Sequence, residues 1–282
     1  MSPTWRSEDE PAPVPITPIG WVRVVLKGGL AGLVTFGCLG LLLLVRLIER
    51  PVFGLRRPVT PYITQFVCRA FFVITGIGWL IEGRPMVGDG AAVANHSSWL
   101  DIFALNAAKR IYFVSKAEVA GWPGIGWLAR ATGTVFIRRD RAEAQAQTQV
   151  FRDRLRAGHR LMFFPEGTST DSRRVLPFKT TLFEAFFDDG LRNEMAIQPV
   201  SVIYRAPEGQ DARFYGWWGD MGFGEHLLKV LAAPRQGSVT LVYHAPVPVA
   251  EMANRKQMAQ RLEAVVRAGL QDRMAEPGSR PE

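Results

Sequence analysis

Hydrophobic positions run together in the first eighty residues and alternate with polar ones thereafter. The stretch GGLAGLVTFGCLGLLLLV, residues 28 to 45, carries no charged side chain, and Lys27 and Arg46 bracket it. Core helices rarely lack a polar face altogether. The pattern therefore predicts a membrane-embedded helix, at the lower limit of the roughly 17–25 residues a span needs; a buried core helix is the alternative. A second apolar stretch, AFFVITGIGWLI (residues 70 to 81), is too short to span and predicts an interfacial helix packed beside the first. Residues 1 to 18 are polar and proline-rich and predict a flexible tail. Acidic residues precede the apolar run and no small-residue cleavage site follows it, which argues against a secretory signal.

From about residue 82 short β-rich runs alternate with helical ones. AAVAN, IYFVS, TVFI, LMFF, IQPVSVIY and SVTLVYH predict strands. WLDIFALNAA, GIGWLAR, AEAQAQTQVFRDRLRAG and TTLFEAFFDD predict helices, and MANRKQMAQRLEAVVRAGLQDRM, residues 252 to 274, a closing amphipathic helix. Such alternation predicts an α/β fold whose mixed, largely parallel sheet is flanked by helices.

Composition adds limits. The 282 residues suffice for one large domain with an appendage, and 48% hydrophobic against 21% charged content excludes a disordered chain. The net charge of +8 suits anionic lipid, nucleic acid or an acidic protein partner, and composition does not choose among them. Cys38 and Cys68 offer no disulfide framework and no zinc spacing, which fits a reducing compartment. Arg6, Arg23 and Lys27 precede the apolar run, and Arg46, Arg50, Arg56 and Arg57 follow it. The stronger following cluster favours a cytoplasmic body, and a hairpin that enters one leaflet and returns is equally compatible.

Candidate chemistry clusters at predicted strand ends, where open α/β sheets bind ligands. In NHSSWLD, residues 95 to 101, His96 falls on the loop after a strand and Asp101 in the first turn of a helix. A carboxylate there suits the helix dipole and reaches back to the imidazole, fixing one nitrogen and leaving the other as a general base. The plainer reading is a helix-starting Asp101 beside an ordinary loop histidine. In FFPEGTSTD, residues 163 to 171, Pro165 ends a strand, Glu166 projects from its end and Gly167 permits a tight turn; the alternative is a solvated glutamate. GTVFIRRD delivers Arg138 and Arg139 to a strand end facing opposite ways, so one of them reaches the crevice; a solvated basic loop is the other reading. Lys179, near a helix start where the dipole disfavours a cation, suggests a negative ligand. A metal-dependent phosphoesterase with His96, Asp101 and Glu166 as ligands is a rival reading, and a non-catalytic membrane scaffold is another.

Taken in order, N-H-x4-D, G-T-V-F-I-R-R, F-P-E-G-T and IQPVSVIY with its Pro199 resemble the glycerolipid acyltransferase family, which contains bacterial 1-acylglycerol-3-phosphate acyltransferases. The resemblance covers roughly residues 75 to 245. It implies that His96 is the general base, oriented by Asp101, and that the acceptor oxygen attacks an acyl thioester directly. It assigns Arg139 to the second motif, Glu166 and Gly167, followed by Thr168 and Ser169, to the third, and Pro199 to the fourth. With Lys179 these residues form the expected substrate-binding set.

The resemblance also implies a two-helix membrane-docking element at 19–81 and a catalytic domain at 82–274, between flexible tails 1–18 and 275–282. It implies acyl carrier protein or acyl-CoA as donor, a lysolipid acceptor, a place on the cytoplasmic face of a bacterial inner membrane, and neither cofactor, metal nor nucleic acid. One position departs. Phosphate-acceptor members usually read E-G-T-R-S, and here Ser169 stands where that arginine would be. The longer string EGTSTDSRRVLPFKTTLF, with WWGDMGFGEHLLKVLAA later, resembles the branch that acylates lyso-ornithine lipid, whose head has no phosphate. Arg173 and Arg174 offer partial replacement of the lost cation, which keeps lysophosphatidic acid as the alternative acceptor.

Overall fold

The computed structural model describes residues 4–7, 15–137, 144–188 and 190–275. Helix α1 (Pro18–Phe53) extends well beyond the uncharged run on both sides. Thr17 caps it, its hydroxyl accepting the Gly20 N–H at 3.1 Å, and Pro18 sits in the first turn, where no N–H is needed. Helix α2 (Thr60–Thr75) folds back on α1. The buried Glu49 joins them: its carboxylate accepts the N–H groups of Val59 (2.8 Å) and Thr60 (3.1 Å) and the Thr60 hydroxyl (2.7 Å), satisfying donors at the start of α2. At the far end the Lys27 ammonium donates to the Thr75 carbonyl at 2.7 Å, so the two helices are antiparallel.

The interfacial helix expected over 70–81 is corrected. Its first half completes α2, which Gly76 ends in a left-handed conformation, and strand β1 (Gly78–Gly83) takes most of the rest into the sheet. The underside of a helix and a sheet strand both favour apolar residues, so the run itself shows no break. Thereafter come β2 (Gly90–Ala94), β3 (Tyr112–Lys116), β4 (Val135–Ile137), β5 (Leu161–Phe163), β6 (Ala196–Arg205), β7 (Ser238–Tyr243) and the short β8 (Val247–Pro248). Their order is β1-β7-β6-β2-β5-β3-β4, with β8 also on β6. The β6–β7 and β6–β8 pairings are antiparallel and the others parallel, as the alternating pattern implied.

Helices α3 (Leu100–Ala108), α4 (Ile125–Thr132), α5 (Ala144–Arg156), α6 (Phe223–Ala232) and α7 (Arg255–Ala275) complete the body. Residues 180–187, expected as an α-helix, form a 3-10 helix. Side chains alternate across the sheet. Leu161 and Phe163 of β5 join a core with Phe151 of α5, Phe183 and Phe186 of the 3-10 helix and Leu262 of α7. Met162 joins another with Phe71 of α2, Leu100 and Leu105 of α3 and Val230 of α6.

The α1–α2 hairpin lies against this body rather than projecting from it. Arg23 donates to the Ala232 carbonyl at the end of α6 (3.2 Å), and Arg57 to the Ala131 carbonyl of α4 (2.7 Å). Its outer side is apolar and open: Leu33 is 72% exposed, Leu47 73% and Val73 81%. Among the described residues α1 alone is long and apolar enough to cross a membrane. The flexible tail expected for 1–18 does not describe residues 4–7. Trp5 packs against Trp218 and Arg174, because a large aromatic surface gains more by burial than a short polar tail loses by ordering.

Helix α7 approaches the sheet at Gly269, where a Cβ would lie 2.5 Å from the buried Ser201 Oγ and 2.6 Å from the His244 ring. Those groups are fixed, since Ser201 bonds His244 at 2.8 Å and the Val266 carbonyl at 2.9 Å. Gly269→Ala is therefore expected to destabilise the fold by about 1–3 kcal/mol through overpacking. Thermal unfolding in detergent checks this, and an unchanged midpoint would contradict the close approach.

Candidate active site

The site forms where β2 stops and its neighbour β6 continues. At that point the Asn95 side chain takes over the pairing: Oδ1 accepts the Val202 N–H at 2.8 Å and Nδ2 donates to the Val202 carbonyl at 2.9 Å. The backbone is thereby released from the sheet at His96. Asp101, in the first turn of α3, is fully buried, and its oxygens are satisfied by four donors. Oδ2 accepts His96 Nδ1 (2.8 Å) and the N–H groups of Ser97 (2.8 Å) and Ser98 (3.0 Å), and Oδ1 accepts the Tyr204 hydroxyl (2.7 Å). A carboxylate only accepts, so Nδ1 carries the ring proton and Nε2 is left with a lone pair. The ring is stacked on Phe164 at 4.0 Å and 9°, and its side chain stays 19% exposed. A histidine held this way takes up a proton at Nε2 without reorientation.

The third-motif loop fixes the main chain of His96. The Glu166 carboxylate accepts the His96 N–H at 2.7 Å with one oxygen and the Leu176 N–H at 2.8 Å with the other. Thr170 donates its N–H to the His96 carbonyl at 2.9 Å. Glu166, expected to project into the crevice, is instead 1% exposed and turned inward, because backbone N–H groups of two loops would otherwise lack acceptors. Burial pushes its carboxyl up to about 8, against the pull of the two N–H donors and with the Asp101 charge adding to the rise. Gly167 adopts φ 72° and donates to the Phe164 carbonyl at 3.0 Å, closing the tight turn its sequence suggested.

The remaining candidates are placed unevenly. Thr168 and Ser169 are half-buried on the same loop as Glu166, and Lys179 is exposed at the start of the 3-10 helix, its N–H bonded to the Pro165 carbonyl at 2.9 Å. Arg139, like Arg138, lies outside the described residues. Pro199 sits in β6 between the residues paired with β8 and those paired with β7, where its missing N–H leaves no ladder bond unmade on that side. Arg174 is held by Asp171 at 2.9 Å. The phosphoesterase reading needs His96, Asp101 and Glu166 around one ion. Among the described residues no group of three His, Cys, Asp or Glu side chains is so arranged, and Glu166 gives both oxygens to backbone donors.

Sequence reasoning missed several supporting residues. Tyr204 and Asn95 act across long sequence separations, and Phe164 carried no signal beyond being apolar. Trp99 donates its Nε1–H to His226 Nδ1 at 2.9 Å; burial pushes that histidine down to about 3, so it stays neutral. Trp99 also walls a cavity of about 240 Å³ between α1, α2, α3 and α4, with Leu42, Val67, Cys68, Phe103 and Leu128 among its lining. Phe113, another wall residue, stacks on Phe164 at 5.8 Å, so one ring separates the cavity from the His96 platform.

The family model described as Acyltransferase matches residues 82–203. The chain is 56% identical, over 96% of its length and 98% of the relative's, to the lyso-ornithine lipid O-acyltransferase of Rhodobacter capsulatus. It is 36% identical to the protein of the same name from Brucella abortus, covering 77% of this chain and 84% of that one. The crystal structure of the 1-acyl-sn-glycerophosphate acyltransferase of Thermotoga maritima superposes with a TM-score of 0.66 at 20% identity, covering 92% of this chain and 98% of that one, which establishes the shared fold. With a relative more than half identical over nearly its whole length, this chain belongs to the acyltransferase family and is an acyltransferase.

Proposed function

We propose that this acyltransferase moves a fatty acyl chain from a thioester, on acyl carrier protein or coenzyme A, to the free 3-hydroxy group of lyso-ornithine lipid. The His96–Asp101 pair, with its bond of 2.8 Å and a free Nε2, is the observation that carries the chemistry. In this mechanism Nε2 takes the hydroxyl proton as the acceptor oxygen attacks the thioester carbonyl. The tetrahedral adduct then collapses, the C–S bond breaks, and the imidazolium returns the proton to the departing thiolate. Asp101 orients the ring and stabilises its charged form. Glu166 and Gly167 shape the loop beneath. Thr168, Ser169 and Lys179 make up the acceptor side, and Arg139 stays a candidate through the second motif alone. The apolar cavity, linked to His96 through the Phe113 and Phe164 rings, suits the acyl chain.

The acceptor is argued from Ser169 and from the 56% identity to an enzyme named for lyso-ornithine lipid. Lysophosphatidic acid is the second acceptor to test, because the Arg173 guanidinium has no ion-pair partner among the described residues. Residues 19–81 are proposed as the membrane-docking unit and 82–274 as the catalytic domain, with β1 reaching back from the first to pair in its sheet. The hairpin touches the body at both ends of α1, which favours a helix lying in one leaflet over one crossing the bilayer. The body then faces the cytoplasm at the inner membrane.

The base hypothesis predicts that His96→Ala lowers turnover by at least about 10²-fold. Asp101→Asn should lose most activity with the protein still folded; near-normal rates in a folded His96→Ala protein would remove the mechanism. The membrane hypothesis predicts that the intact chain sediments with membranes and is extracted by detergent and not by high salt, which weakens only electrostatic attachment. Release by salt alone would count against an embedded hairpin.

The acceptor hypothesis predicts a higher kcat/KM for lyso-ornithine lipid than for lysophosphatidic acid when the two compete in mixed micelles. An arginine at 169 would hold phosphate with charged hydrogen bonds of roughly 1.5–3 kcal/mol, about ten- to a hundredfold in affinity, whereas a serine offers one neutral donor. Ser169→Arg should shift the ratio toward lysophosphatidic acid. If lysophosphatidic acid wins in the unmutated enzyme, the acceptor assignment falls.

A further inference from the structure

Residues 4–7 cross two loops that also border His96. The Trp5 N–H reaches Thr168 Oγ1 at 3.4 Å, and the Trp5 carbonyl accepts the Gly219 N–H at 3.2 Å. Its ring packs on Trp218 at 6.2 Å and 54°, and the Arg174 guanidinium lies over it at 4.8 Å. The next residue, Arg6, pairs with Asp220 at 2.8 Å. Thr168 belongs to the loop whose Glu166 and Thr170 hold the His96 main chain, and the neighbouring Trp217 N–H donates to the Ser97 carbonyl at 2.9 Å. The two loops also touch each other, since a Cβ on Gly216 would sit 2.9 Å from the Asp171 Cα. Three loops thus converge beside His96, and the N-terminal segment ties two of them together.

We propose that residues 4–7 are an in-chain strap that shapes the acceptor head-group side of the active site, with Trp5 as its positioning residue. The placement separates this side from the acyl side. None of Trp5, Thr168, Arg174 or Trp218 lines the apolar cavity, whose walls come chiefly from α1 to α4. Besides the Trp218 ring, the strap engages the Thr168 hydroxyl, the Arg174 guanidinium and the Asp220 carboxylate, polar and charged groups that suit a charged head group. Trp5 and Asp171 together hold Arg174 aside, on the ring and in the 2.9 Å ion pair, whereas the Arg173 guanidinium has no ion-pair partner among the described residues. A guanidinium placed so can pair with the carboxylate of the head group.

The proposal rests on the reading of lyso-ornithine lipid as acceptor, and the test separates the two. Full-length enzyme in detergent micelles is assayed with lyso-ornithine lipid and one acyl donor, varying each in turn. Trp5→Ala should raise the acceptor KM about tenfold, the order a cation–π and stacking contact converts to, while kcat and the donor KM stay within about twofold of their starting values and the protein stays folded. Trp5→Phe, which keeps a ring under Arg174, should recover most of the loss. An unchanged acceptor KM in Trp5→Ala overturns the strap, as does a parallel rise in the donor KM or a failure of Trp5→Phe to restore. If the unmutated enzyme does not acylate lyso-ornithine lipid, the acceptor reading itself has failed, and the same comparison with lysophosphatidic acid then decides the strap.

Discussion

A fully buried carboxylate, Asp101, sets the geometry around which this site is built. An ionised acid taken out of water is tolerated only where its lone pairs are met by donors. Four donors meet it here, from His96, Ser97, Ser98 and Tyr204. The first three oblige the chain after β2 to curl around the first turn of α3, instead of continuing along the sheet. The fourth obliges β6 to run past the end of β2, so that Tyr204 reaches the same oxygen pair. Asn95 makes the divergence affordable by supplying an amide in place of the departing backbone.

A second buried acid works from the opposite side. Asp101 and the Phe164 ring fix the imidazole of His96, while Glu166 and Thr170 fix its main chain. Ring and backbone are therefore held by separate contacts: Asp101 reaches the ring from α3, while the third-motif loop supplies both Phe164 against the ring and the two groups that hold the main chain. In the proposed reaction that division matters, because a general base contributes only while its lone pair stays within hydrogen-bond reach of the acceptor hydroxyl. It also explains how Glu166 serves the site without facing it. Burial raises its carboxyl, and the N–H groups it accepts, those of His96 and Leu176, tie two segments of the site together.

What the sequence revealed follows the range over which each interaction acts. His96 and Asp101 are five residues apart across a strand–helix turn, so local geometry brings them together and spacing alone exposes the pair. The six strands read from apolar runs were legible because each is a short β-rich run set between helical or turn-forming stretches. The direction of Glu166 was not legible: a glutamate before a glycine at a strand end reads the same whether it points outward or in, and only the unpaired N–H groups of His96 and Leu176 decide. Tyr204 lies 103 residues from Asp101 and Trp5 163 from Thr168, and no local pattern records such contacts. The stretch 70–81 misled for a different reason, since hydrophobicity does not distinguish the packed face of α2 from a strand of the sheet. The signal present there was Gly76, whose left-handed conformation marks the end of the helix.

The hairpin and the histidine are linked through the cavity between them. Leu39 and Leu42 of α1 and Val67 of α2 form one wall, and Trp99 and Phe113 form the side nearest the site. The same α1 presents Leu33 and Leu47 outward. One helix thus divides its apolar surface between an inner chamber and an outer face suited to hydrocarbon. For the proposed reaction this arrangement keeps acyl chains out of water along their whole path, while the polar loops carrying Thr168, Ser169 and Arg173 stay on the other side of His96 for the head group. The exposed apolar area of α1 fits the proposed docking: a helix that walls an apolar chamber on one side and meets lipid on the other has no side left on which to place a polar stripe.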